Sequence, residues 1–151
     1  MHKIIAALFA IALMAESASA SETLDVMRTV WQYVDSFNKG DMKTALSDCA
    51  AQSFIIDEFP PYLWQGATGC ADWSKDFDAY IKKNGMTGPK VTLGILTHVD
   101  VSGDRAYVVI PATFGYTLNG KRSIRRDLIW TIALQKVADS WHIAGWAWAK
   151  H

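Results

Sequence analysis

Neither sign of charge is in excess in this chain: 15 lysines and arginines stand against 15 aspartates and glutamates over 151 residues. A balanced chain lacks the long-range field that draws a protein to nucleic acid or to an anionic membrane, so neither is expected as a main partner. Cysteine is scarce. Cys49 and Cys70 are the two present, and two thiols at this spacing do not build a metal site. They leave two readings open, a disulfide or a pair of small buried thiols. Histidine is scarce as well: His98 and His142 fall in strand-like stretches at no metal-ligand spacing, and His2 and His151 lie at the ends. They read as structural or solvent-facing. There is no phosphate loop, zinc signature or Ser-His-Asp order, so no metal and no cofactor are expected. No repeat, linker or low-complexity stretch divides residues 21–151, which read as one domain with room for a real core. The one local charge run, "KRSIRR" (121–126), reads as a solvated hairpin face.

Long apolar runs are also missing. The longest, "IIAALFAIALMA" (4–15), is too short to span a bilayer comfortably. It follows a positive start and precedes "ESASA", where Ala18 and Ala20 form a small-residue cleavage pattern. Residues 1–20 are therefore expected to be a signal peptide, with an uncleaved anchor as the rival. The mature domain would be exported, periplasmic or secreted, without stable membrane insertion. An oxidising compartment favours the Cys49–Cys70 bond.

What is present is strong periodicity. Leu24, Met27, Val30, Trp31, Val34 and Phe37 recur at helical spacing, and Gly40 is placed to end that helix. Asp41 can cap a short second helix through Cys49. "SFIIDEF" (53–59) predicts a strand stopped by Pro60-Pro61, and "YLWQGATG" a loop. Thr68 can cap a third helix with Cys70, Trp73, Phe77, Tyr80 and Ile81 inward. The remainder alternates: 91–101, 106–118, 124–137 and 141–149 predict four strands in an antiparallel meander, with Asn119-Gly120 a tight-hairpin signal. Helices segregated on an antiparallel sheet make the class α+β.

This element order, with "FNKGD" closing the first helix, Gly66 ahead of the third helix and a last strand ending "WHIAGW", resembles the nuclear transport factor 2-like superfamily, which includes SnoaL-like polyketide cyclases and ketosteroid isomerases. The resemblance covers nearly all of residues 22–149. It implies three helices packed on a curved antiparallel sheet, a cone with a pocket at its wide end (the cystatin-like roll), and in many relatives a homodimer. The similarity to ketosteroid isomerases implies roles for two residues. Tyr33, seven before Gly40, matches the helical tyrosine that donates to a developing oxyanion. Asp57, sixteen after Asp41, matches the general base. The second oxyanion donor, an aspartate in the relatives, has no ungapped match. Asp127 fits only with a gap. Counting from the Asn119-Gly120 hairpin gives a position near Ile129, and counting back from the last hairpin gives one near Ile132. The two counts differ in parity, hence in face.

Other uses of these residues stay open. Tyr33 shares a stripe with Val26, Val30 and Phe37, where a tyrosine is often core. Asp57 alternates with Ile55 and Phe59, and faces either a pocket or solvent. Seven tryptophans are many for this length. Trp64, Trp73, Trp130, Trp146 and Trp148 could pack the core, wall a pocket for a flat apolar molecule, or form a dimer contact. Three functions follow: binding of a small apolar molecule, isomerase- or cyclase-like acid–base catalysis with Asp57 and Tyr33, or a dimeric assembly module held by Trp146 and Trp148.

Overall fold

The computed structural model describes residues 2–150, with side chains described from Ala20 onward. The expected leader and its cleavage pattern, and His151, lie outside those side chains. The order is α1 (His2–Lys39), α2 (Met42–Ser47), β1 (Cys49–Ile56), β2 (Leu63–Gly66), α3 (Gly69–Lys83), β3 (Met86–Leu93), β4 (His98–Ser102), β5 (Arg105–Leu118), β6 (Lys121–Val137) and β7 (Ser140–Lys150). Among the described residues no helix is long and apolar enough to cross a membrane.

Helix α1 ends at a left-handed residue. Gly40 has φ 75°, its N–H donates to Phe37 O, and the Asp41 N–H donates to Ser36 O. That pair of reversed bonds satisfies the last carbonyls and needs a residue free to adopt positive φ. Asp41 then caps α2, accepting from the Thr44 N–H at 3.1 Å. The face α1 buries carries Val26, Val30, Tyr33, Val34 and Phe37. Leu24 and Trp31, expected on the inward stripe, are about half exposed, because the sheet meets the helix on the Val26–Tyr33 side.

The sheet runs β2-β1-β7-β6-β5-β3, with β4 paired to β5 beyond the end of β3. It is mixed, not purely antiparallel: β1 lies parallel to β7. This pairing joins strands far apart in sequence, and no turn signal announces it. Two further expectations change. The loop "YLWQGATG" contains β2, which zips antiparallel onto β1 with Ile55 opposite Trp64. The 91–101 strand is two strands, broken at 94–97, both following β5.

Helix α3 is not capped by the Thr68 side chain, whose hydroxyl donates to Asp72 instead. The buried Ser53 hydroxyl of β1 accepts the Cys70 N–H at 3.0 Å. The approach is tight. A Cβ on Gly69 would lie 2.7 Å from Ser53 Oγ and 2.9 Å from Ser53 O, so glycine is required there. A disulfide joins Cys49 to Cys70 beside this contact, tying the start of β1 to α3.

Strand β6 carries a bulge that decides which side chains enter the core. In the hairpin with β5, Lys121, Ser123 and Arg125 oppose Leu118, Tyr116 and Phe114. The register then shifts, Asp127 takes φ 58°, and from Leu128 onward Leu128, Trp130, Ile132 and Leu134 point inward. The extra residue flips the alternation. The parity conflict between the two hairpin counts is this bulge. Ile132 is the inward candidate, Ile129 points away, and Asp127 is exposed at the bulge itself.

Candidate functional site

The inner face of the sheet does not pack tightly along its whole length. At the end where α1 finishes there is a cavity of about 330 Å³. Tyr33 and Phe37 of α1, Trp73 and Phe77 of α3, Phe114 and Tyr116 of β5, Trp130 of β6, and Trp146 and Trp148 of β7 all line it. The rings hold one another in place. Trp130 stacks on Trp148 with ring centroids 5.1 Å apart, Trp73 stacks on Phe77 at 5.2 Å, and Trp146 meets Trp73 edge-on at 5.0 Å. Tyr33 sits against Trp146 at 5.4 Å and Trp130 at 6.0 Å. Large planar side chains interlocked this way keep a shape that smaller ones would collapse.

Asp57 follows β1 on the inward phase set by Ser53 and Ile55, while Phe54 and Ile56 face out. Its N–H donates to Tyr62 O, closing the 57–62 turn. Both carboxylate oxygens are held. Oδ1 accepts the Glu58 N–H at 2.7 Å and Oδ2 accepts Trp73 Nε1–H at 2.8 Å. Burial pushes the carboxyl above the usual aspartate range. The two hydrogen bonds oppose that rise, the Glu58 charge adds to it, and the Arg125 charge opposes it.

Tyr33 is buried, and its hydroxyl has no partner among the described residues. Burial, with the charges of Asp57 and then Asp48, pushes its ionisation well above the usual tyrosine range, so it stays a neutral hydroxyl. The Trp130 indole N–H is likewise buried and unpaired among the described residues.

Tyr33, Asp57, Trp73, Trp130, Trp146 and Trp148 therefore meet around one cavity. Trp64 does not. It packs behind Phe59 at 4.8 Å and donates to Asp76, because β2 carries it to the sheet edge, not over the mouth. Asp127 stays outside for the reason given above, so it supplies no donor. Trp146 and Trp148 line the cavity, Trp146 buried and Trp148 partly exposed. The sequence reading missed Arg125. Treated as part of a solvated run, it faces the cavity and forms an ion pair with Glu58 at its edge. Its signal was available: counted from the Asn119-Gly120 hairpin, Arg125 falls directly opposite the inward Phe114. Among the described residues, no three histidine, cysteine or acidic side chains gather as metal ligands.

No family model matches the chain, and no curated protein matches it. Solved structures do. The chain is similar to a nuclear transport factor 2-like superfamily protein from Salmonella enterica serovar Typhimurium, with TM-score 0.73, 13% identity, and 87% of this chain and 92% of that one covered. It is similar to a nuclear transport factor 2-like protein with a cystatin-like fold from Novosphingobium aromaticivorans, with TM-score 0.72, 14% identity, and 91% and 87% covered. It is also similar to a ketosteroid isomerase-like protein from Erwinia carotovora atroseptica, with TM-score 0.64, 17% identity, and 83% and 92% covered. The fold is the nuclear transport factor 2-like fold, an α+β architecture shared by enzymes and ligand-binding proteins. At these identities the likeness speaks for the fold alone.

Proposed function

We propose that this protein binds a small, flat, largely apolar molecule in the aromatic cavity. The observation that carries this reading is the volume and lining together: about 330 Å³ walled mostly by interlocked aromatic rings, with few polar groups. That size and composition are those of ligand sites rather than of packing defects. The Cys49–Cys70 bond supports an exported, oxidising setting. The test is native mass spectrometry of the purified protein, followed by displacement of an environment-sensitive naphthalene dye. A bound mass of a few hundred daltons, or saturable dye binding weakened by Trp148→Ala, is the expected result. Dye binding that Trp148→Ala leaves unchanged would refute it.

A second reading is isomerase- or cyclase-like catalysis. It is favoured by the placement of Asp57 and Tyr33 on one cavity. Asp57 would act as general base, and the neutral Tyr33 hydroxyl as donor to the developing oxyanion. With Asp127 outside, the ungapped match supplies one donor instead of two, and typical losses of one donor are on the order of 10²–10³ in rate. Conversion of a β,γ-unsaturated ketone to its conjugated isomer, abolished by Asp57→Asn, is the measurement that would raise this reading above the first.

For self-association we propose the outer sheet face, where Phe54 and Ile56 of β1 and Leu63 of β2 are about half exposed. Sedimentation of Phe54→Lys should then show a lighter species than wild type.

A further inference from the structure

We propose that the occupant of this cavity is an organic cation: a flat apolar body carrying a protonated amine, with Asp57 as its counter-ion. The proposal rests on the binding reading above and adds the charge of the ligand to it.

Three side chains among those lining the cavity are charged: Asp57, Glu58 and Arg125. Glu58 and Arg125 are paired with each other at the edge. That pairing uses up the cavity's one cation. Asp57 is left with neutral donors, the Glu58 N–H and the Trp73 indole N–H. These orient the carboxylate without neutralising it. A partly buried carboxylate without a matched cation is costly, and the cost disappears when a positive group settles beside it.

The rest of the wall favours the same sign. Aromatic rings present negative faces, and Trp is the strongest of them for holding an ammonium group. Four tryptophans, Trp73, Trp130, Trp146 and Trp148, line this one cavity, with Tyr33 and Phe37 among them. An anionic ligand would meet ring faces and two carboxylates, and could reach the cavity's one cation only by breaking the Glu58–Arg125 pair. A neutral ligand would use the walls and leave Asp57 as it is. A cation uses both.

The experiment compares three probes of nearly equal shape: 2-naphthylmethylamine, protonated near neutral pH, 2-naphthalenemethanol, neutral, and 2-naphthoate, anionic. Each is titrated at about pH 7 by isothermal calorimetry or tryptophan fluorescence, against wild type and Asp57→Asn. The amine is expected to bind at least about tenfold more tightly than the alcohol. That ratio should fall close to one in Asp57→Asn. The wild-type comparison stands alone if the variant folds poorly. In wild type at raised salt, the amine preference should persist, since a partly buried pair is weakly screened. Equal binding of amine and alcohol overturns the cation proposal and leaves the apolar-pocket reading standing. Tightest binding by naphthoate also overturns it, and assigns the recognition to the cavity's donors, Arg125, Tyr33 and Trp130. If no probe binds, both this proposal and the pocket reading fail.

Discussion

The two halves of the inner sheet face differ in what they leave behind. One row of the sheet is Ala106, Leu134 and Ile143, all buried, beneath the start of the domain's helix, where Thr29 bonds to the Trp141 carbonyl. None of the three lines the aromatic cavity. Two rows along, Ile110, Trp130 and Trp148 lie beneath Tyr33 and Phe37, and the rings enclose one. Helix and strands continue through both halves, and the side chains they carry differ. Branched aliphatic side chains interdigitate and fill. Interlocked planar rings brace one another around a gap. The filled half is also the braced half: the Cys49–Cys70 bond and the Asp48 contacts, with Gln32 and with the Ile143 N–H, lie there. Stability is expected to reside in the filled half and binding in the open one.

The largest test is truncation in the filled half. Leu134→Ala should cost about 2–5 kcal/mol in urea denaturation. Next is the disulfide: replacing both Cys49 and Cys70 by alanine releases a closure across 21 residues and should cost about 3 kcal/mol. A loss below about 1 kcal/mol in either case would break the comparison.

A pH experiment sharpens it. Burial raises the Asp48 carboxyl to about 6, with the His142 charge opposing the rise. The folded value lies above that of a free aspartate, so the native state holds the proton more tightly than the unfolded chain. Stability from this group is therefore gained as pH falls through 6 toward 4, and lost as pH rises through 6. Relative to Asp48→Asn, wild type should gain about 1–2 kcal/mol between pH 7 and 4, read from denaturation midpoints at both values. A parallel pH response in the two proteins would exclude it.

The smallest effect belongs to the open half. Trp148→Ala enlarges a cavity that already exists and removes a partly exposed ring. It should cost about 1 kcal/mol of stability, well below the Leu134→Ala loss, while weakening dye binding about tenfold or more. A stability loss equal to that of Leu134→Ala would mean that the two halves do not divide the work.

Much of this was legible in the residues. The Gly40 stop, the Asp41 cap and the Asn119-Gly120 hairpin each depend on a few neighbouring residues, where turn chemistry acts. The site was legible only in part. Tyr33 and Asp57 were implied by the resemblance to ketosteroid isomerases, and four of the five candidate tryptophans do line the cavity. Trp64 was misplaced because an eight-residue stretch read as a loop is pulled into pairing by β1, a contact outside its own residues.

What the chain determined by itself is the menu of elements and their turns, since these are set by interactions over a few residues. What only the tertiary structure decided is the parallel meeting of β1 with β7, the bulge at Asp127 that keeps that acid out, and the entry of Arg125 into the cavity edge. Each depends on which distant strand lies alongside, and one extra residue in a strand reverses the face of everything beyond it.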